Sequence, residues 1–258
     1  MEFTRDVEFT IDVKEFLKFI KLFKIDSSLY LCVTKQKIFV KNIDFKQCLG
    51  VLTGSFSQTN PQLQNPIYFK VDYNELIGKL QAFKQKASFS INRIHSSLRI
   101  WDPSDKLFEY YIRCDLGSKI EKYCDLTLLD DFQTHKLKFQ IDSTVCLKLL
   151  KIIIAVENVI LFRFYKDNPD HLLHLVSKKI SSFVSELVPI ETLKNYTYLV
   201  DQPILEFEIY YNAIFTNLIK QKPELIFSLF EDYLVIENSL ENEGSFDFKI
   251  YIPVRKVQ

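Results

Sequence analysis

The sequence lacks an excess of charge of either sign, because its 258 residues contain 33 Lys and Arg and 33 Asp and Glu. Overall charge therefore predicts no partner, and any nucleic-acid surface must come from the arrangement of the charges. There is no run of about 18 apolar residues and no hydrophobic N-terminal region, so we expect neither a membrane span nor a secretory signal. Glycine is scarce at 5 residues while phenylalanine reaches 23, which excludes collagen-like and glycine-rich disordered classes.

Cysteine is sparse and scattered. Five cysteines stand at positions 32, 48, 114, 124 and 146, and no two of them form a CxxC pair. An odd number of widely spaced cysteines is typical of reduced, buried thiols in an intracellular protein. We therefore expect reduced thiols and an intracellular location.

Motifs of the common enzyme classes are missing. There is no GxxxxGK(S/T), no GxGxxG after a strand and no GxSxG. His171 and His174 form an HxxH pattern, but the apolar residues around them predict a strand, on which residues three apart lie on opposite faces. Asp130 and Asp131 are adjacent acids in a predicted loop and have no third partner. We predict no catalytic residue, no metal site and no cofactor.

Four copies of one pattern, Phe-x-(Val/Ile)-(Asp/Tyr), begin at Phe9, Phe69, Phe139 and Phe207. Each copy is followed by apolar residues at positions +7, +8 and +11 from the phenylalanine, a spacing that predicts the apolar face of a helix. These apolar residues are Phe16, Leu17 and Ile20; Leu76, Ile77 and Leu80; Cys146, Leu147 and Leu150; and Ile214, Phe215 and Leu218.

The repeated unit is predicted to be a strand, a helix and then several antiparallel strands. Asp12, Asp72 and Asp142 stand directly before the first three helices, where their carboxylates can accept hydrogen bonds from free N–H groups. After the helices the apolar residues change to a period of 2, as in residues 29–33 and 246–250, which is typical of strands. The predicted fold class is α+β, with antiparallel sheets and the helices on one face. The alternative is an ordinary α+β protein with four unrelated amphipathic helices.

Residues 117–138 separate the second and third copies and are the best candidate for a linker. They predict two similar domains of two units each. The predicted N-terminal domain is residues 1–118, the connecting segment is residues 119–137, and the C-terminal domain is residues 138–258.

The predicted helices share a polar face at positions +5, +9 and +12, which fall within about 60° of each other. These positions hold no acid; they hold Lys14, Lys18 and Lys21; Asn74, Gly78 and Gln81; Thr144, Lys148 and Lys151; and Asn212, Thr216 and Ile219. Lysines and small polar residues suit sequence-independent contact with phosphate. We therefore predict DNA contact through Lys14, Lys18, Lys21, Lys79, Lys148, Lys151 and Lys220. The alternative is a set of ordinary solvated helix faces, because lysine is a good helix former.

Several segments carry a resemblance to a known family. Residues 69–80, 87–91 and 106–111 (KLFEYY), residues 123–131 (YCDLTLLDD) and residues 248–256 (FKIYIPVRK) are similar to the DNA sliding clamps of eukaryotes and archaea, of the proliferating cell nuclear antigen (PCNA) type. Through the order and spacing of these segments the resemblance covers essentially the whole chain. It implies the sliding-clamp fold: two similar domains, each of two strand-helix-antiparallel-strands units, with the helices on the inner face of a ring of three subunits.

The resemblance also implies a function without catalysis. The protein would be a DNA polymerase processivity factor that encircles duplex DNA and tethers replication and repair proteins. Subunits would meet by edge-strand pairing, of residues 119–126 with residues 177–187 of the next subunit. Partner peptides would bind in a pocket formed by Ile43, Leu128, Leu129, Phe132, Tyr251 and Pro253. A separate ATP-dependent loader would open the ring, because the chain has no nucleotide-binding motif.

The expected location is the nucleus of a eukaryotic cell, or the intracellular site of DNA replication for a viral or archaeal protein, with no membrane partner. The chain departs from the family in its short connecting segment, its zero net charge and its scarce glycine. Leu128 and Leu129 could instead anchor the connecting segment to the sheet. Two alternatives remain for the whole chain: a subunit of a heterotrimeric checkpoint-type clamp, and a clamp-derived adaptor or transcription factor that no longer forms a ring.

Overall fold

The structure is a computed structural model, and it describes residues 7–24, 27–44, 50–57, 63, 65–92, 94–105, 108–124, 134–154, 159–166, 171–178, 183–210, 216, 219–220, 223–238 and 246–256. Contacts within the chain form two compact units. Unit 1 comprises Met1–Ile43, Leu52–Asp130 and Gly244–Phe248, and unit 2 comprises Asp44–Val51, Asp131–Glu243 and Lys249–Gln258. The domain boundaries at residues 118 and 138 stay a prediction. Among the described residues, no helix has the length and apolar composition needed to cross a membrane.

The N-terminal half of the chain runs twice through the order strand, helix, strands. The first pass consists of β1 (Val7–Asp12), α1 (Val13–Ile20), β2 (Ser28–Val33), β3 (Lys37–Asp44) and β4 (Gly50–Ser57). The second pass consists of β5 (Ile67–Asp72), α2 (Tyr73–Leu80), β6 (Lys86–Asn92), β7 (Ser97–Trp101) and β8 (Glu109–Asp115). A 3₁₀ turn at Lys21–Phe23 extends α1, and a short helix, α3 (Ser118–Cys124), follows β8.

The C-terminal half repeats this order. Its first pass consists of β9 (Leu137–Asp142), α4 (Ser143–Ile154), β10 (Val159–Tyr165), β11 (His171–Lys178), β12 (Phe183–Pro189), a 3₁₀ turn at Ile190–Thr192 and β13 (Leu193–Tyr198). The second pass consists of β14 (Ile204–Tyr210), β15 (Glu224–Leu229), β16 (Tyr233–Asn238), β17 (Phe246–Pro253) and β18 (Arg255–Lys256). Between β14 and β15, Thr216 and Ile219 are helical.

Both units pair their strands in the same antiparallel way. In unit 1 the neighbours run β1-β6-β7-β8-β5-β2-β3. In unit 2 they run β13-β9-β15-β16-β17 in one sheet and β12-β11-β10-β14-β18 in another. The pairs β1–β6 and β2–β5 of unit 1 thus recur as β9–β15 and β10–β14 of unit 2. This repetition confirms the predicted α+β fold of two similar parts.

The phenylalanines of the repeated pattern occupy equivalent core positions. Phe9 stacks on Phe89 across β1 and β6, with ring centroids 4.9 Å apart. Phe139 stacks on Phe227 across β9 and β15, also at 4.9 Å. Cross-strand aromatic pairs of this kind contribute about 0.5–1.5 kcal/mol beyond the burial of their area. All four phenylalanines of the pattern are therefore buried, and those of the first and third copies each form one half of a cross-strand aromatic pair.

The three aspartates predicted as N-caps all cap their helices. Asp12 Oδ1 accepts a hydrogen bond from the N–H of Glu15 at 3.0 Å, and Asp72 Oδ1 accepts one from the N–H of Glu75 at 2.9 Å. Asp142 Oδ1 accepts from the N–H of Thr144 at 2.8 Å. These bonds fix the start of each helix immediately after its strand, because they satisfy N–H groups that have no partner within the helix.

The predicted apolar faces of α1, α2 and α4 point into the cores of their units. The residues at positions +7 and +11 are buried, and those at +8 are half-buried: Phe16, Ile20 and Leu17; Leu76, Leu80 and Ile77; Cys146, Leu150 and Leu147. The three residues predicted for the fourth helix lie outside the described residues. The helix periodicity is confirmed for the first three copies.

One segment differs from its prediction. Residues 119–126 were expected to form an edge strand for subunit pairing, but residues 118–124 form α3. Ile120 and Cys124 stand four residues apart, so they share one helix face, and both are buried against β2 and β5. The interpretation as an edge strand was therefore wrong for residues 119–124, because burial of this apolar pair favours a helix.

Candidate nucleic-acid interface

Helix α1 presents three lysines to solvent. Lys14, Lys18 and Lys21 are all exposed, whereas Phe16 and Ile20 on the opposite face are buried. Lys18 Nζ lies 2.8 Å from Glu15 Oε1, and the two side chains are 57% and 39% exposed. Exposed pairs of this kind are weak, at about 0–1 kcal/mol, so Lys18 stays available to a stronger anionic partner. Within the described residues, no acid pairs with Lys14 or Lys21.

Helix α4 carries the equivalent lysines of unit 2. Lys148 and Lys151 are exposed, and the third position of this face holds Thr144, which is also exposed. Asp142 fixes the first turn through the N–H groups of Thr144 and Val145, at 2.8 and 3.3 Å, and through the Thr144 hydroxyl. The Thr144 hydroxyl and these N–H groups hold the pKa of the Asp142 carboxyl below its usual range. The cap therefore stays ionised at neutral pH and fixes the helix that carries both lysines.

Helix α2 differs from α1 and α4. Its positions +5, +9 and +12 hold Asn74, Gly78 and Gln81, which are exposed and uncharged. The predicted DNA-binding residue Lys79 is half-buried, and its Nζ lies 4.9 Å from the centroid of the Tyr110 ring. A cation–π contact of this kind is worth about 0.5–1 kcal/mol at an exposed site and directs the ammonium group toward the ring. Lys79 is therefore not part of the exposed face that positions +5, +9 and +12 form on α2.

The fourth copy breaks the pattern. Ile219 occupies position +12, which was expected on the polar face, but its side chain is fully buried at 0% exposure. Thr216 is half-buried, and only Lys220 is exposed among the described residues of this segment. An isoleucine favours the core because burial of its side chain stabilises the fold by about 1.5–3 kcal/mol. The face shared by the four copies is therefore strictly polar in three of them.

The predicted partner-peptide pocket is described only in part. Leu128, Leu129 and Phe132 lie outside the described residues, as does the side chain of Ile43. Tyr251 is buried at 6% exposure, with its ring 6.1 Å from that of Tyr233, and Pro253 is exposed. The pocket stays a prediction.

One strand edge was not recognised from the sequence. Glu109–Arg113 of β8 pair with β7 on one side, and among the described residues β5 pairs only with Cys114 and Asp115 on the other side. Tyr111 on this stretch is 56% exposed and neighbouring Phe108 is 64% exposed. An edge that carries exposed aromatic side chains is a template for strand pairing. The sequence signal for this edge strand was the alternation of residue types in residues 108–113.

The second edge lies in unit 2. β12 is the outermost strand of its sheet and, within the described part of the chain, pairs only with β11. Leu187 on this strand is 48% exposed. This edge overlaps the predicted interface range of residues 177–187.

The two histidines of the HxxH pattern lie on β11, as the sequence predicted. His174 is directly opposite Arg163 of β10. Burial and the positive charge of Arg163 lower the pKa of His174. A neutral His174 adds no charge beside Arg163. No group of three or more potential metal-ligating side chains occurs among the described residues.

Comparisons with known proteins agree with this architecture. No protein-family model matches the sequence, and no curated protein sequence matches it. The structure is similar to PCNA from Thermococcus kodakaraensis, with a TM-score of 0.68, 12% identity, and coverage of 96% of this chain and 99% of that chain. It is also similar to DNA polymerase III subunit beta from Borrelia burgdorferi, with a TM-score of 0.71 and 13% identity, covering 96% of this chain and 65% of that one. The chain therefore has the fold of the DNA sliding clamps.

Proposed function

We propose that the chain is a subunit of a sliding clamp that encircles duplex DNA and acts as a DNA polymerase processivity factor. The observation that carries this proposal is the recurrence of exposed lysines at the same positions of α1 and α4, within a sliding-clamp fold. Lys18 and Lys21 recur in register as Lys148 and Lys151, and Thr144 stands at the position of Lys14. A solvated helix that needed only solubility would not have to repeat its lysines at matching positions in both units.

The chemistry of these lysines suits sliding. An ammonium group on a flexible stem attracts phosphate without requiring a fixed geometry, so one contact can exchange for the next along the backbone. Such contacts position DNA but carry no sequence information. The clamp itself would make and break no covalent bond. It would raise the concentration of a tethered partner at the template.

Assembly would use the two free strand edges. We infer that Glu109–Arg113 of β8 pair with β12 of the next subunit, in place of the pairing of residues 119–126 that the sequence suggested. A head-to-tail contact between two different edges closes into a ring when the rotation per subunit permits it. Three subunits, a separate ATP-dependent loader and the tethering of replication and repair proteins by short peptides are further parts of the proposal, with action at the site of DNA replication.

The first experiment is light scattering of the purified protein over a concentration series. A mass of three times 30.5 kDa supports a homotrimeric ring. A monomer that assembles only with other chains indicates a heterotrimeric checkpoint-type clamp. A monomer without affinity for DNA indicates an adaptor that has lost the ring.

The second experiment tests the lysine faces. Lys21, Lys148 and Lys151 are changed together to Glu, and Lys35, Lys119 and Lys122, which are exposed elsewhere, are changed to Glu as a control with the same change in net charge. The protein is first threaded onto a linear duplex over its open ends, and retention is then measured with the ends left open and with the ends blocked afterwards by streptavidin.

We expect wild type and the control to be retained only when the ends are blocked, and the first variant to be lost in both cases. Equal retention of the two variants would contradict the assignment of DNA contact to α1 and α4. Loss of assembly in either variant is checked by light scattering.

A further inference from the structure

The internal repeat allows one face of the sheet to be compared between the two units. In unit 1, Cys32 of β2 lies directly opposite Tyr68 of β5 and Phe39 of β3. This row of three residues is here called the apolar row. Because Phe69 and Phe207 are equivalent in the repeat, Tyr68 corresponds to Glu206.

The equivalent row of unit 2 is charged. Arg163 of β10 lies directly opposite Glu206 of β14 and His174 of β11. Arg163 and Glu206 form an ion pair, and their side chains are 32% and 29% exposed. The same three positions thus hold Tyr, Cys and Phe in unit 1 but Glu, Arg and His in unit 2. Charged residues suit a partly solvated face, whereas the apolar row requires a cover.

Helix α3 supplies this cover. Ile120 and Cys124 are 9% and 6% exposed and pack with Cys32, while Phe39 and Tyr68 pack against the same cluster. The Cys124 thiol donates a hydrogen bond to the carbonyl oxygen of Leu31 at 3.5 Å. The apolar row of unit 1 and the apolar face of α3 therefore match, and unit 2 has a charged row at the same place.

Helix α3 is attached through one face. The helix has only seven residues, and isolated helices shorter than about 12–15 residues are marginal in water. Its stability therefore depends on docking. Lys119, Glu121 and Lys122 are exposed. Beside α3, an open groove of about 590 Å³ is lined by Ser118 and Glu121 together with Pro66 and Tyr68.

The chain enters α3 through a turn whose backbone conformation only glycine tolerates well. Gly117 has a φ of +123°, a conformation that side-chain-bearing residues rarely adopt. Its carbonyl oxygen accepts hydrogen bonds from the N–H groups of Ile120 and Glu121 at 3.0 and 3.2 Å. An added Cβ at Gly117 would meet no heavy atom within 4 Å, so a substitution there acts on the backbone of the turn alone.

We propose that the apolar row is a docking surface for one short amphipathic helix, and that α3 is its resident occupant, a strap that opens while the rest of unit 1 stays folded. Local opening of this kind requires few buried contacts, and two of the described side chains of α3 are buried. Opening would expose Cys32 and Cys124 together. This inference is independent of DNA binding.

The thiols provide the readout. Burial raises the pKa of Cys32 to about 11 and that of Cys124 to about 12, so both are protected while α3 is docked. In the opened state a thiol loses its proton to the buffer, and the thiolate forms an S–C bond with iodoacetamide as iodide leaves. The rate at each cysteine is measured by peptide mass spectrometry on the folded chain and divided by the rate in the unfolded chain.

In wild type we expect Cys32 and Cys124 to react at equal normalised rates, about tenfold or more faster than the core thiols of Cys114 and Cys146. Ile120→Ala is expected to raise the first two rates together by about tenfold or more and to leave the rates of the core thiols unchanged. Circular dichroism confirms that the variant is folded.

Two further variants separate docking from general destabilisation. Gly117→Ala removes no contact and is expected to accelerate Cys32 and Cys124 in the same way, while Lys119→Ala on the exposed face of α3 is the matched control. The proposal is overturned if Cys32 and Cys124 react no faster than Cys114, or if Ile120→Ala accelerates all of them equally. Reaction at Cys124 without Cys32 would indicate fraying of the helix end and would also overturn it.

Discussion

The N-cap of α4 gives a prediction with a defined magnitude. Asp142 Oδ1 accepts hydrogen bonds from two backbone N–H groups and from the Thr144 hydroxyl. Replacement of a capping Asp by Ala costs about 0.5–2 kcal/mol. The side chain is partly solvated, so the charge contribution is screened, and we expect Asp142→Ala to lower the free energy of unfolding at pH 7 by about 1 kcal/mol.

The effect should depend on pH with a definite sign. The Thr144 hydroxyl and the backbone N–H groups hold the pKa of the Asp142 carboxyl below the value of an unfolded chain. A lowered folded-state pKa contributes stability that is present above the unfolded-state pKa of about 4 and is lost as pH falls through the folded-state pKa. The difference between wild type and Asp142→Ala should therefore shrink between about pH 5 and pH 2.

The assay is urea unfolding followed by far-ultraviolet circular dichroism at several pH values. With a urea dependence of about 1–3 kcal/mol per molar, a loss of about 1 kcal/mol lowers the midpoint by roughly 0.3–1 M. Asp142→Asn keeps an acceptor but no charge, so we expect an intermediate midpoint at pH 7 and no dependence on this titration. An Asp142→Ala midpoint equal to that of wild type at pH 7, or a difference that persists undiminished at pH 2, would refute the reasoning.

Three further predictions follow from other parts of the structure. A Cβ at Gly54 would lie 2.6 Å from Cζ of the buried Phe23 ring and 2.8 Å from the backbone carbonyl oxygen of Asp247, so Gly54→Ala should lower the free energy of unfolding by about 1–3 kcal/mol, measured by the fluorescence of the single tryptophan; an unchanged free energy of unfolding would contradict this close packing. Lys148→Gln should reduce the salt dependence of DNA binding, whereas Lys79→Gln should leave it unchanged because Lys79 is directed to Tyr110; equal effects would contradict this distinction. Leu187→Lys on the free edge of β12 should lower the assembled mass in light scattering, and an unchanged mass would exclude that edge from the interface.

Much of the fold follows from periodicity. The recurrence of Phe, of an acidic cap and of apolar residues at +7 and +11 is local information. It predicted four helices, of which the first three are confirmed with their first turns. It succeeds because a cap and an amphipathic face are determined by residues within one or two helical turns. The Phe9–Phe89 and Phe139–Phe227 pairs could not be predicted in this way. Phe89 and Phe227 are distant in sequence from their partners, and only the pairing of β1 with β6 and of β9 with β15 brings the rings together.

The candidate site was predicted in part. Exposed lysines on α1 and α4 follow from helical spacing, so the sequence could locate them. The orientation of Lys79 toward Tyr110 depends on β8, which is distant in sequence, and the burial of Ile219 depends on the packing around the fourth copy. Spacing alone cannot distinguish a solvated position from one that a neighbouring element covers.

Helix α3 is an element that the sequence did not predict. Residues 119–124 contain as many charged as apolar side chains and stand where a linker was expected, so local composition did not predict a helix there. Tertiary structure decided it, because the apolar row supplies a surface on which Ile120 and Cys124 are buried together. The sequence by itself determined the repeat, the helix caps and the polar faces, which depend on neighbouring residues. Only the tertiary structure decided which edges stay open and which faces are covered, because those depend on strands brought together from distant parts of the chain.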